Sequence, residues 1–177
     1  MHRANLRFKR KNPLSMHLFD KRIKRKWKNC LWQSGVAILA VFLILFIFTE
    51  ITNLIILAAV GASTFTVFAI PKDYTARARN VMGGHLIGCC MGVLCFHLFS
   101  TLLIGGSLAV GATMLSMIVT NTEHPPAAGT ALGLVVSESV GGVIFILGSA
   151  FGLSLTKRLM NPWLENLTGE FLDVDSE

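Results

Sequence analysis

Hydrophobic residues in this chain come in long unbroken runs, not in the alternation of a half-buried strand or the narrow stripe of a soluble helix. Five runs stand out, at residues 31–48, 54–70, 81–103, 107–122 and about 127–157. A bilayer core about 30 Å thick takes about 20 such residues per helix. Inside it every backbone polar group must pair within the segment, so helices are expected. The runs are separated by polar or helix-breaking stretches. Residues 49–53 form a tight connection, 71–80 (PKDYTARARN) a polar loop, and Gly105-Gly106 a break. At Glu123-His124-Pro125-Pro126 two prolines remove two donors and fix φ, which predicts a helix stop. Ser137-Glu138-Ser139 is a candidate interruption of the fifth run. The expected fold is an all-α polytopic transmembrane bundle of about five hydrophobic segments, with a helix break at His-Pro-Pro. Its organisation divides into a basic arm (1–30) with an interfacial helix over 14–29, a membrane domain (31–157) and an acidic tail (158–177).

Charge sharpens this picture. Of 177 residues 53% are hydrophobic and 15% charged, where a soluble domain carries roughly a quarter. Between Leu31 and Leu155 the ionic residues are Glu50, Lys72, Asp73, Arg77, Arg79, Glu123 and Glu138. The arm holds eleven Lys and Arg against Asp20; residues 156–177 hold Lys157 and Arg158 against five acids. A basic arm directly before a hydrophobic span fits the positive-inside rule better than nucleic-acid binding, and no cleavage site follows that first span. The arm and the 71–80 loop are therefore expected on the cytoplasmic side of a bacterial inner or plasma membrane. Five crossings would export the acidic tail; four, with a re-entrant fifth segment, would keep Lys157 and Arg158 inside.

Small residues suggest close helix approach. Gly84, Gly88 and Gly92 lie on one face of the third run, and Gly148 and Gly152 repeat the device in the fifth. They serve packing within the chain or a homo-oligomer seam. Cys30, Cys89, Cys90 and Cys95 show no disulfide spacing and read as reduced, packed residues.

Polar residues inside a membrane invite functional questions. His124 precedes a new helix whose first turns hold Ala127, Ala128, Gly129 and Thr130, where free N–H groups would attract an anion. It either donates to that anion or relays a proton, or merely caps backbone groups at the break. Gly61-Ala62-Ser63-Thr64 in the second run either packs closely or unwinds towards a ligand. Arg79, Asn80 and His85 cluster where the 71–80 loop enters the third run; Arg79 is an anchor at the membrane surface or a donor fork for an anion. A metal site would need His85, His97 and a cysteine to converge. No nucleophile–base pair, phosphate loop or zinc signature supports catalysis, and no cofactor is expected.

Taken together, these motifs resemble the HPP family of small bacterial, algal and plant membrane proteins. The resemblance rests on His124-Pro125-Pro126, on Gly61-Ala62-Ser63 and on Arg79-Asn80-Val81-Met82-Gly83-Gly84-His85, in that family's order along the membrane domain. Ala78 stands where members often have proline, and Ala127-Ala128-Gly129 differs from the commoner Ala-Gly-Ala. Plant relatives move nitrite across the chloroplast envelope, so the resemblance implies a transporter or channel for a small inorganic anion. Its expected substrate-binding residues are His124, Pro125, Pro126, Gly61, Ala62, Ser63, Arg79, Asn80 and His85. The alternative is a non-transporting scaffold or subunit, in which those residues only pack helices. A homo-oligomer in the lipid bilayer is compatible with either.

Overall fold

The computed structural model describes residues 21–48, 54–137 and 139–168. The expected tail of residues 1–13, much of the interfacial stretch, the 49–53 connection, Glu138 and the end of the acidic tail lie outside these. Among the described residues there are six α-helices: α1 (Lys21–Ile47), α2 (Leu54–Ala69), α3 (Ala78–Leu98), α4 (Leu102–Thr120), α5 (Pro126–Val136) and α6 (Val140–Met160). Four stretches are long and apolar enough to cross a bilayer: Lys26–Ile47, Ala78–Leu98, Leu102–Thr120 and Val140–Trp163. The other two helices, of 16 and 11 residues, are shorter. At 1.5 Å per residue α5 reaches only about 16 Å, half a bilayer core. The chain is an all-α polytopic bundle.

α4 stops before the prolines. Asn121 caps it in the left-handed conformation (φ 53°), its N–H turned back to Met117 and Ile118 carbonyls. Asparagine tolerates that region better than most residues. The prolines instead begin α5: Pro126 sits at its first turn, where a missing N–H leaves no partner unpaired.

The long fifth run is two helices, not one. Ser139 caps α6, its hydroxyl accepting from Gly142 N at 2.9 Å. Gly133 near the end of α5 and Gly142 at the start of α6 both pack against Ile56 of α2. α5 begins beside Thr75, and α6 ends with Lys157 Nζ donating to the Ala76 carbonyl. The two helices therefore run in opposite directions, and the chain returns to the end of the bundle where α1 began. There Gln33, fully buried on α1, donates to the Phe68 and Glu165 carbonyls and accepts from Glu165 N. Lys26 Nζ donates to the Asn166 carbonyl and Leu167 N to that of Ala69. Of the two arrangements left open by the sequence, this return of the chain fits four crossings with a re-entrant segment. Lys157 and Arg158 share one end with Lys26, Lys72, Arg77 and Arg79.

The glycine stripe of α3 faces α5 within the same chain, not a second copy. A Cβ at Gly88 would lie 2.5 Å from the Ala127 carbonyl oxygen, and one at Gly92 2.7 Å from that of Ala131. Gly148 likewise receives the Phe48 ring from the end of α1. The apolar core joins α1, α2, α3 and α6 through Ile44, Ile56, Val60, Phe68, Val81, Phe145, Ile146 and Leu153. Ile38, Phe42 and Phe46 of α1 and Leu103, Leu115 and Val119 of α4 are exposed, as expected where the solvent is lipid.

Candidate functional site

Three segments far apart in sequence meet at one buried hydroxyl. Ser63 Oγ on α2 lies 2.8 Å from His85 Nε2 on α3 and 3.0 Å from His124 Nε2 in the α4–α5 turn. The two imidazole rings stand edge to face with centroids 5.0 Å apart. The outer nitrogens are also engaged: His85 Nδ1 lies 2.8 Å from Thr130 Oγ1 on α5, and His124 Nδ1 lies 2.9 Å from the Thr75 carbonyl. Ser63, His124 and Thr130 are completely inaccessible and His85 nearly so. A buried polar group without a partner costs about 1–3 kcal/mol, and here every ring nitrogen has one.

Each side chain reaches this centre for a local reason. Gly84 leaves room for the turn: a Cβ there would lie 2.8 Å from His124 Cβ and 3.2 Å from the Thr122 carbonyl oxygen. Gly88 does the same one turn later against Ala127. Asn80 Nδ2 donates to the Glu123 carbonyl at 3.1 Å, and Arg79 Nη2 to the Thr120 carbonyl at 2.8 Å, fixing the entry to the turn from both sides. Thr75 is held by Asp73, whose carboxylate accepts from its N–H and hydroxyl at 2.8 and 2.6 Å.

Of the residues expected to line a site, Ser63, His85 and His124 come together. Arg79 is exposed and Asn80 buried, and both spend their donors on backbone carbonyls at the bundle's end. Gly61 and Ala62 are exposed on another face of α2, since successive helix residues turn by about 100°. Pro125 is exposed and Pro126 half-buried; they shape the turn. The expected cradle of free N–H groups is largely closed. The prolines have none, Ala127 N donates to the His124 carbonyl at 2.9 Å, and Ala128 N to that of Pro125 at 3.1 Å.

Two participants escaped the sequence reading: the Thr130 hydroxyl and the Thr75 carbonyl. Gln33 did too, although a glutamine in an apolar run is itself a signal. Among the described residues no three His, Cys, Asp or Glu gather as a metal site; His97 is exposed near the far end of α3.

A family model described as "HPP, transmembrane region" matches residues 22–165. A transmembrane protein of Dictyostelium discoideum is 29% identical over 117 residues, covering 60% of this chain and 41% of the relative. A second from the same organism is 30% identical over 92 residues, covering 50% and 30% respectively. The chain thus spans less than half the length of either relative. No solved structure matches it.

Proposed function

We propose that this chain, which belongs to the HPP transmembrane family, is a transporter for a small inorganic anion such as nitrite. The observation that carries this reading is the convergence of Ser63, His85 and His124, from three separate motifs, on one point inside a membrane bundle. Packing alone is served better by apolar side chains, because polar groups at membrane depth are expensive. An imidazole N–H and a hydroxyl are donors that match an oxyanion, and both can exchange a proton. The centre is sealed, so passage requires the α4–α5 turn to part from α2 and α3, in the manner of transporters that rock one element against another. By the positive-inside rule the end carrying Lys72, Arg77, Arg79, Lys157 and Arg158 faces the cytoplasm of a bacterial inner or plasma membrane.

Uptake of nitrite and nitrate into proteoliposomes tests the reading. His124→Ala is expected to abolish uptake, and Arg79→Ala, which leaves the centre intact, to retain most of it. Equal uptake by both variants and the wild type would remove the centre from transport and favour a scaffold whose polar residues only pack helices.

A further inference from the structure

The partners at the buried centre restrict where its protons sit. A carbonyl only accepts, so His124 Nδ1 carries a hydrogen and donates to Thr75. With His85 Nδ1 accepting from the Thr130 hydroxyl, two arrangements satisfy the remaining ring contacts. In the first, His124 is neutral and its Nε2 accepts from the Ser63 hydroxyl. Ser63 Oγ accepts from His85 Nε2–H, and His85 Nδ1 accepts from the Thr130 hydroxyl. Four hydrogen bonds then run in one direction, from Thr130 to Thr75.

In the second arrangement the Ser63 hydroxyl turns to the Ala59 carbonyl, 2.9 Å away. Ser63 Oγ now offers only lone pairs to both Nε2 atoms, so His124 must donate from Nε2 as well as Nδ1 and becomes an imidazolium. His85 stays neutral in both. Rotation of one hydroxyl thus separates an uncharged centre from a cationic one without displacing either ring.

We propose that the transported anion moves together with one proton, held on His124, and that the Ser63 hydroxyl links the two. The inference rests on the anion-transport reading above. A buried imidazolium without a counter-charge is strongly disfavoured, and so is a buried anion without a cation. Each makes the other's entry favourable, and the pair crosses as a neutral unit. The step balances: imidazole takes one proton from the side of entry and returns it at the side of exit.

The surrounding titratable groups do not take this role. His85 on α3 is held at both ring nitrogens by hydroxyls, those of Ser63 and Thr130, and faces no backbone carbonyl that would fix a proton on it. Asp73 is engaged with Thr75, and Lys157 of α6 with the Ala76 carbonyl. Glu123 adjoins His124, but neither ring nitrogen turns to it. Cys89, one turn beyond His85, is a buried thiol.

The test uses the full chain in liposomes loaded with a pH-sensitive dye, under a potassium–valinomycin clamp, with nitrate as the probe and protein-free vesicles subtracted. The expected result is internal acidification of one proton per nitrate taken up. An inside-alkaline gradient of one pH unit should then drive about tenfold accumulation, the equilibrium ratio for one-to-one coupling. Ser63→Ala should lose this coupling and Ser63→Thr, which restores a hydroxyl, should keep it. Nitrate uptake without proton movement would overturn the coupling and leave anion transport standing. No uptake of nitrate or nitrite at any gradient would overturn both.

Discussion

Replacing Ser63 by alanine removes one oxygen atom and breaks the junction of the buried centre. The lost atom leaves His85 Nε2–H without an acceptor and His124 Nε2 without a donor, since Ser63 is the partner of both. Each unpaired buried group costs about 1–3 kcal/mol. The rings, 5.0 Å apart, can close on each other and recover part of one bond. A loss of about 2–4 kcal/mol remains. Ser154→Ala on α6 is the matched control. Its hydroxyl is buried and has no hydrogen-bond partner, so the same chemical change is expected to leave stability unaltered or slightly raised. Thermal unfolding in detergent can be followed with a thiol-reactive dye, because Cys89 and Cys95 are buried in the folded bundle. At about 2–4 °C per kcal/mol for a domain of this size, Ser63→Ala should melt about 4–16 °C lower than wild type. If Ser63→Ala and Ser154→Ala melt within a degree or two of each other, the imidazoles do not depend on Ser63 and the reasoning fails.

Other consequences are equally open to measurement. Gly88→Ala forces a methyl against the Ala127 backbone and should cost about 1–3 kcal/mol or prevent folding. Gly61→Ala meets nothing within 4 Å and should gain up to about 1 kcal/mol of helix propensity, read by the same melts. Gln33→Leu removes the bonds that hold Glu165 to α1, so limited proteolysis should cut near residues 164–168 faster than in wild type. Fluorescent and alkaline-phosphatase reporters fused in turn to the two termini should place both on the same side of the membrane; opposite sides would refute the reversal between α5 and α6.

The sequence exposed the fold class because hydrocarbon solvation leaves a coarse mark: long runs without charge. It did not reveal that the last run folds back. The pattern at Ser137-Glu138-Ser139 predicts a local interruption; that α5 and α6 run in opposite directions emerges only from the capping of α6 by Ser139 and the shared contact of Gly133 and Gly142 with Ile56. The site was legible in part. Ser63, His85 and His124 stand out because polar atoms at membrane depth must find partners. Arg79, Gly61 and Ala62 lie in the same motifs, but proximity in sequence does not set direction on a helix, and they face elsewhere. The Thr75 carbonyl could not be anticipated, since every residue carries one and only the tertiary fold selects which is used. The glycines at 84 and 88 are explained by the same geometry, as the clearance that lets the His-Pro-Pro turn lie on α3.

In the uncharged centre His85 and His124 belong to one directional hydrogen-bond chain through Ser63. Nitrogen-15 NMR of histidine-labelled protein in lipid bilayers at neutral pH, assigned with His85→Gln and His124→Gln, reads that direction. Opposite tautomers are expected for the neutral rings, His85 protonated at Nε2 and His124 at Nδ1. Two rings in the same tautomer, with nitrogen shifts unmoved by Ser63→Ala, would contradict it.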